Sequence, residues 1–281
     1  MDEGGAMRIL VSGRVPDTVG QRLKAQHEVA INPHDAPMAR EDLLAQVADK
    51  AGLLCMITDR VDRELLDRAP DLKMVANCGV GYDNIDVAAA SERGILVSNT
   101  PGVLTEATAE LTWALLLAIS RNVVSGDAHT RAGKFRFWAP LHFLGSEASG
   151  KTLGIIGMGR IGQAVARRAT GFNMPVCYHN RSPVPADATA AFAGEAVSME
   201  ALLERADFIS LHVPLTPETH HLIDAEALAR MKPGAFLVNT ARGPVVDEAA
   251  LVAALKKGTI AGAALDVYEN EPCLLYTSDA A

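Results

Sequence analysis

Short apolar runs bounded by glycine and polar residues recur along the first hundred positions. They fall at Met7–Val11, Glu28–Ile31, Gly52–Ile57, Lys73–Ala76 and Ile95–Val97. Runs of this length and apolar density read as strands covered on both faces. Between them lie segments that predict helices over Val19–Gln26, Arg40–Val47 and Asp62–Arg68, with another short one before Ile95. Strands alternating with helices imply a parallel, doubly wound sheet. Thr105–Ser120 is a longer apolar helix with Glu106 and Glu110 in its first turns, placed to link two domains. Positions 126–150 are polar and aromatic, predicting an irregular excursion or subunit contact. The alternation then resumes. An apolar run after Lys151, Pro175–Tyr178, Phe208–Leu211, Ala235–Val238 and Ile260–Leu265 predict strands. Gln163–Ala169, Met199–Glu204, Ala225–Arg230 and Glu248–Lys256 predict helices.

One of those strand-to-helix junctions carries chemistry. Lys151-Thr-Leu-Gly-Ile-Ile-Gly157-Met-Gly159-Arg-Ile-Gly162 joins a strand to a helix through a G-x-G-x-x-G turn. The first glycine permits the tight turn, the second lets a pyrophosphate approach the backbone, and the third lets the helix pack on the strand. Phosphates would then meet the helix N-terminus, where unpaired N–H groups and the dipole favour anions. The motif alone is weak evidence in a chain with 23 glycines; the strands and helix around it strengthen it. A buried turn with no ligand is the plain alternative.

Composition narrows the partners. At 281 residues the chain suits two domains, and 49% hydrophobic with 21% charged residues describes a globular protein. A net charge of −8 without a basic stretch argues against nucleic acid or an anionic membrane as partner. Leu111–Ile119, the longest apolar run, is too short to span a bilayer. The acidic N-terminus has no apolar core of a signal peptide, and the true start is either Met1 or Met7. Cys55, Cys78, Cys177 and Cys273 form no zinc or disulfide spacing. No metal site and a cytoplasmic setting are expected.

Four further segments stand at predicted strand ends: Gly79-Val-Gly-Tyr-Asp-Asn-Ile-Asp86, His212-Val-Pro-Leu-Thr216, Asn239-Thr-Ala-Arg-Gly-Pro-Val-Val-Asp-Glu248 and Leu265-Asp-Val-Tyr-Glu-Asn-Glu-Pro272. With the glycine turn, they resemble the D-isomer-specific 2-hydroxyacid dehydrogenase family over Met7 to Pro272. Trp138–Gly145 and Gly171–Pro175 look most like its glyoxylate/hydroxypyruvate reductase (2-ketoaldonate reductase) branch. The resemblance implies a flavodoxin-like substrate domain over 7–100 and a linking helix with a dimerisation arm over 101–150. It also implies a Rossmann dinucleotide-binding domain over 151–272.

It also assigns roles. A 2-oxoacid carboxylate needs a fixed cation and backbone donors. Arg242 resembles the family's substrate arginine, whose planar fork suits a carboxylate, and Val80 and Gly81 lie on the loop whose N–H groups cradle it. Glu271, 29 residues after Arg242, matches the carboxylate that orients the catalytic histidine and raises its pKa. Asp266 resembles the aspartate that meets the nicotinamide carboxamide. Gly157, Gly159, Arg160, Ile161, Gly162, Pro214, Thr240 and Ala241 match further cofactor positions. Thr108 is either a cofactor contact or a helix-packing threonine. Trp138 is either a plain dimer contact or an aromatic lent to a neighbouring subunit's site.

Cofactor choice is read at the end of the second strand of the dinucleotide domain, where NAD enzymes place an acid for the ribose hydroxyls. Here stand Asn180, Arg181 and Ser182, which remove that repulsion and add a cation. NADP(H) is therefore favoured, with NAD(H) possible if Arg181 only stacks on adenine. His179, His212 and the His220-His221 pair read as structural or solvated. In the family the catalytic histidine follows the Glu-Pro pair. Cys273–Ala281 contains none and resembles the translation of a sequencing adapter. The expectation is an NAD(P)H-dependent 2-oxoacid reductase, a C-terminally truncated homodimer with little turnover of its own for want of that acid. The alternative is a nucleotide-binding, corepressor-like interaction protein of the same fold.

Overall fold

The computed structural model describes residues 5–271, which form two compact units, one running to Val103 and the other from Leu104. The strands of the first unit are β1 (Arg8–Val11), β2 (Glu28–Ile31), β3 (Gly52–Met56), β4 (Met74–Cys78) and β5 (Leu96–Ser98). Its helices are α1 (Asp17–Lys24), α2 (Arg40–Val47), α3 (Arg63–Arg68) and α4 (Val87–Glu92). All five strands run parallel in the order β2-β1-β3-β4-β5, with Ile9 opposite Gly52 and Leu53 opposite Val75. This is the flavodoxin-like order. Leu10, Leu53 and Val75 from the sheet pack with Leu43 of α2 and Leu65 and Leu66 of α3 in one buried cluster. Asp62 and Asp86 start α3 and α4 by accepting the Leu65 and Ala89 amides, each such cap contributing roughly 1 kcal/mol.

The second unit opens with α5 (Thr105–Ser120) and α6 (Val123–Arg131). Its strands are β6 (Leu153–Ile156), β7 (Val176–His179), β8 (Glu195–Ala196), β9 (Phe208–Leu211), β10 (Phe236–Asn239) and β11 (Gly262–Leu265). The remaining helices are α7 (Arg160–Ala169), α8 (Ala186–Thr189), α9 (Met199–Arg205), α10 (Ala225–Arg230) and α11 (Glu248–Lys257). The six strands are parallel in the order β11-β10-β9-β6-β7-β8. Counted within the unit, that is the 3-2-1-4-5-6 order of the dinucleotide fold, with its switch point between β6 and β9. β6, β9 and β10 are buried along their whole length. One face packs a cluster with Trp113 and Leu116 of α5 and Val165 of α7; the other packs Leu202, Leu228 and Leu251.

Helix α5 is more than a connector: Trp113 stacks on Phe172 with ring centroids 4.7 Å apart and donates its indole N–H to the Val165 carbonyl (3.1 Å). Glu106 pairs with Arg167 and Arg168 of α7.

Several boundaries differ from the pattern in the sequence. Positions 126–150 are not irregular throughout, because α6 occupies Val123–Arg131. Asn122 adopts a left-handed conformation (φ 56°) that turns the chain sharply after α5, and its side chain donates to the Leu144 carbonyl. α7 starts at Arg160, one turn before the predicted Gln163, because Gly159 can turn the chain directly into it. The short pieces α8 and β8 escape prediction, having no buried apolar residue between them. Expectations for Pro272–Ala281, including the nature of the tail, lie outside the described residues.

Candidate active site

The glycine turn sits at the switch point of the second sheet. Gly157 has φ +97°, and a Cβ there would lie 2.5 Å from the His212 carbonyl oxygen on the neighbouring strand end. A Cβ on Gly162 would stand 2.2 Å from the Gly157 carbonyl oxygen. Both positions therefore demand glycine, one for conformation and one for helix-to-turn contact. Gly159 has nothing within 4 Å of its missing Cβ. The crowded glycines close the turn, and the open one leaves the space a pyrophosphate needs. Gln163 donates to the Gly159 carbonyl (2.9 Å), so the amides of Arg160, Ile161 and Gly162 precede the first backbone bond of α7 and face its N-terminus. The donor set and the space fit a dinucleotide pyrophosphate.

Asn180, half-buried at the end of β7, spends its side chain on the loop. Its Oδ1 accepts the Met158 N–H (3.0 Å) and its Nδ2 donates to the Ser182 carbonyl (2.7 Å). The structure thus gives Asn180 an organising part: it ties the glycine turn to the segment that exposes Arg181 and Ser182. Arg181 is close enough to Glu218 for its charge to help hold that carboxyl below the ordinary range, after the hydrogen bonding at Thr216 and the loop backbone.

At the end of β9, His212 donates its amide to Ile156 (2.8 Å) and its ring Nε2 meets the Ser210 hydroxyl at 2.8 Å. Burial pushes the imidazole down to about 3, so it is neutral at physiological pH and holds structure rather than protons. Pro214, next along, is exposed and accepts the Thr219 hydroxyl (2.6 Å).

At the end of β10, buried Asn239 knots the following turn: its Oδ1 accepts the Ala241 N–H (3.0 Å) and its Nδ2 donates to the Arg242 carbonyl (2.8 Å). Thr240 shares a buried hydrogen bond with Thr112 of α5 (2.9 Å), and Thr112 in turn donates to the Thr108 carbonyl (2.8 Å). Thr108 thus joins the site through Thr112 as an intermediary. The half-buried Arg242 donates from Nη1 to the Ala241 carbonyl (2.7 Å). Behind it, a Cβ on Gly243 would fall 1.9 Å from the Tyr268 backbone, so the turn after β10 lies flush against the loop after β11. That loop carries Asp266, whose amide donates to Asn239 (2.9 Å), and Glu271, which accepts the Tyr268 amide (2.8 Å). His221 reaches the same loop through Glu269 and the turn after β10 through its amide bond to Pro244.

In the first unit, Val80 and Gly81 follow β4. The carbonyls of Gly79, Val80 and Gly81 accept from the Thr100 amide (2.9 Å), Asn99 Nδ2 (2.7 Å) and Asn77 Nδ2 (2.6 Å).

Comparison with known proteins settles the class. The model of the D-isomer specific 2-hydroxyacid dehydrogenase NAD binding domain matches residues 113–276. The chain is 48% identical to a glyoxylate reductase of Thermococcus litoralis over 94% of its own length and 81% of the relative's. The chain belongs to the D-isomer specific 2-hydroxyacid dehydrogenase family. Among solved structures it is similar to the TT0316 protein from Thermus thermophilus (TM-score 0.86, 49% identity, 95% of this chain and 83% of that one). It is also similar to an NADPH-dependent glyoxylate/hydroxypyruvate reductase from Sinorhizobium meliloti bound to NADP and malonate (TM-score 0.80, 36% identity, 94% and 80%).

Within this dehydrogenase scaffold, β6, β7, β9, β10 and β11 each deliver candidate cofactor or substrate residues at their carboxyl ends, where such sheets bind ligands. Reading the sequence missed Asn77, Asn99, Thr112 and Asn239. Each is a small polar residue at a strand end or helix face whose bonds hold a site loop in shape. The available signal was an asparagine closing an apolar run, as in Val75-Ala-Asn77 and Leu237-Val-Asn239. Among the described residues no group of His, Cys, Asp and Glu could hold a metal ion, and no helix is long and apolar enough to cross a membrane.

Proposed function

We propose that this dehydrogenase reduces a small 2-oxoacid such as glyoxylate or hydroxypyruvate, and prefers NADPH to NADH. The observation that carries the reading is the pairing of loops at the ends of β10 and β11. Gly243 has no room for a side chain against the Tyr268 backbone, which sets Arg242 and Glu271 on two mutually braced loops. In this reading the glycine turn and the first amides of α7 take the pyrophosphate. Arg181 and Ser182 take the 2′-phosphate, and Thr240, Ala241, Pro214 and Asp266 border the rest of the cofactor. Arg242 is the substrate-binding cation of the second unit, its fork suited to a carboxylate, and the amides beside Val80 and Gly81 are the substrate-binding donors of the first. Glu271 orients the proton donor, whose expected place lies outside the described residues.

When bound, the nicotinamide supplies a hydride to the substrate carbonyl. What the chain itself supplies is orientation: the planar fork of Arg242 suits both oxygens of a carboxylate, a positioning effect of several kcal/mol in favourable cases. Charge complementarity supports NADPH, because a 2′-phosphate beside Arg181 meets a cation and no strand-end acid.

The reading places the enzyme in the cytoplasm, consistent with the free thiols of Cys55, Cys78 and Cys177. It also makes it a homodimer through the arm after α5. Val124, Phe137, Trp138 and Leu141 expose 69–84% of their surface there, an apolar patch that calls for a partner. A second copy of the chain is the partner the reading names.

The test reads binding. NADPH and NADH are titrated by quenching of Trp fluorescence, and glyoxylate and oxalate are titrated onto the NADPH complex. Tighter NADPH binding, with oxalate binding lost in Arg242→Gln, supports the reading. Equal affinity for the two cofactors overturns the preference, and oxalate binding indifferent to Arg242 overturns the substrate class.

A further inference from the structure

We infer that Asn77 is a positioning residue that shapes a three-amide carboxylate cradle in the first unit. The inference rests on the reading that the Val80–Gly81 loop binds the carboxylate of a 2-oxoacid.

Three consecutive carbonyls of this loop, those of Gly79, Val80 and Gly81, are each held by a donor of the same unit: the Thr100 amide, Asn99 and Asn77. A trans peptide sets its N–H opposite its carbonyl. Fixing those carbonyls therefore aims the amides of Val80, Gly81 and Tyr82 the other way. Among the described residues none of those three amides donates to a protein acceptor. Each of the three amides is thereby left open to an acceptor from a ligand, the kind of backbone donor from which anion sites are built. Glycine at 81 adds no side chain to obstruct it, and Tyr82 is exposed.

Asn77 is 2% exposed, so it acts through the backbone and not on substrate. Its own orientation is fixed from behind. Oδ1 accepts the Cys55 thiol (3.4 Å) and Asn84 Nδ2 (3.3 Å), which leaves Nδ2 to face Gly81. Burial pushes the Cys55 thiol up to about 12, so it remains a donor. Asn84 in turn is bonded to the Met56 and Asp59 carbonyls (3.2 and 3.0 Å), and the Asp59 carboxylate accepts the Met56 amide and the Ser12 hydroxyl. The loop is thus braced against the ends of β1, β3 and β4. An amide side chain at 77 is required for donor and acceptor to serve these two directions at once.

The experiment titrates oxalate onto the NADPH complex of the full chain and of Asn77→Leu, which keeps the branched shape and removes both polar functions. Asn77→Ser is measured beside it, since its hydroxyl keeps a donor on a shorter arm. Asn32→Ala serves as a comparator: it breaks two other side-chain bonds at the same end of the sheet, to the Ser12 and Ala36 carbonyls, without a bond to the loop. The expected result is oxalate binding weakened at least tenfold in Asn77→Leu, partly recovered in Asn77→Ser and unchanged in Asn32→Ala. NADPH affinity stays within twofold throughout. Oxalate binding retained in Asn77→Leu but lost in Arg242→Gln overturns the inference and leaves the substrate reading standing. Equal losses in Asn77→Leu and Asn32→Ala overturn it too, since the effect is then general. Oxalate binding indifferent to every variant, Arg242→Gln included, overturns the reading and the inference together. If Asn77→Leu does not fold, Asn77→Ser against Asn32→Ala decides by the same criteria.

Discussion

Acid should unfold the second unit earlier than its carboxylates require, because His212 is held neutral at the switch point. The imidazole is pushed from 6.5 to about 3 by burial, while the unfolded chain takes up its proton near pH 6.5. The folded state therefore binds fewer protons below that value, so stability falls as pH falls, starting at the unfolded pKa and levelling off only near the folded one. A single site shifted in this direction loses a few kcal/mol between pH 7.5 and 4.5. Carboxylates enter only at the acid end of this window: Glu106, Glu195, Glu200 and Glu218 are held below 4.5 and begin to lose their contribution near pH 5. For Asp207, burial opposes ionisation, but the Thr152 amide and Lys232 outweigh it and hold its pKa below 3.8. A depressed carboxyl loses its contribution as pH falls through its unfolded value, so between pH 6.5 and 5 the decline belongs to His212. The assay is urea unfolding at half-unit steps from pH 7.5 to 4.5, for the unsubstituted chain and for His212→Gln. The glutamine side chain cannot be protonated, so the variant's stability should change little over that range, although it starts lower at pH 7.5 for loss of the Ser210 bond. A parallel decline in both proteins would refute the assignment, and with it the claim that His212 stays uncharged beside the cofactor turn.

Other consequences are direct. Gly162→Ala drives a Cβ to 2.2 Å from the Gly157 carbonyl oxygen. Overpacking against fixed backbone costs about 1–3 kcal/mol, so the urea midpoint should drop and NADPH titration should show the larger loss. Arg181→Ala should weaken NADPH about tenfold or more while leaving NADH nearly unchanged, the size expected for one charge-assisted contact. Glu218→Gln should shift the same ratio toward NADPH by removing the acid within reach of Arg181. Replacing Trp138 and Leu141 by Asp should move the sedimentation profile from dimer to monomer with an unchanged far-ultraviolet spectrum; a monomer before substitution would refute the arm's role.

The parts of this molecule that were legible in the sequence are those enforced by local backbone geometry or by short-range burial. Gly157 and Gly162 are obligatory because one sits at φ +97° and the other leaves no room for a Cβ, and both constraints fall within six residues of one another. The strands announced themselves because a chain segment buried on two faces is largely apolar, as β6, β9 and β10 are apart from Ser210 and Asn239. Helix α6 did not, because it begins with a left-handed Asn122 whose partner, Leu144, stands 22 residues on. Strand β8, two exposed residues at a sheet edge, carries no apolar signal at all.

The site divides along the same line. Arg242, Glu271 and the glycines stood out because their chemistry is displayed by residue type. Asn77, Asn99 and Asn239 were passed over because what they bind includes backbone carbonyl, which every residue offers, so closing an apolar run was their only mark. Sequence spacing cannot tell which carbonyl an asparagine will find until the strands are in register. Yet these three side chains decide where the loops at Val80, Gly81 and Arg242 point their donors. In the proposed site, the chemistry lies in a few conspicuous residues and the geometry in inconspicuous amides. Substitutions that spare every charged group but remove one buried asparagine should therefore reach substrate binding through the backbone.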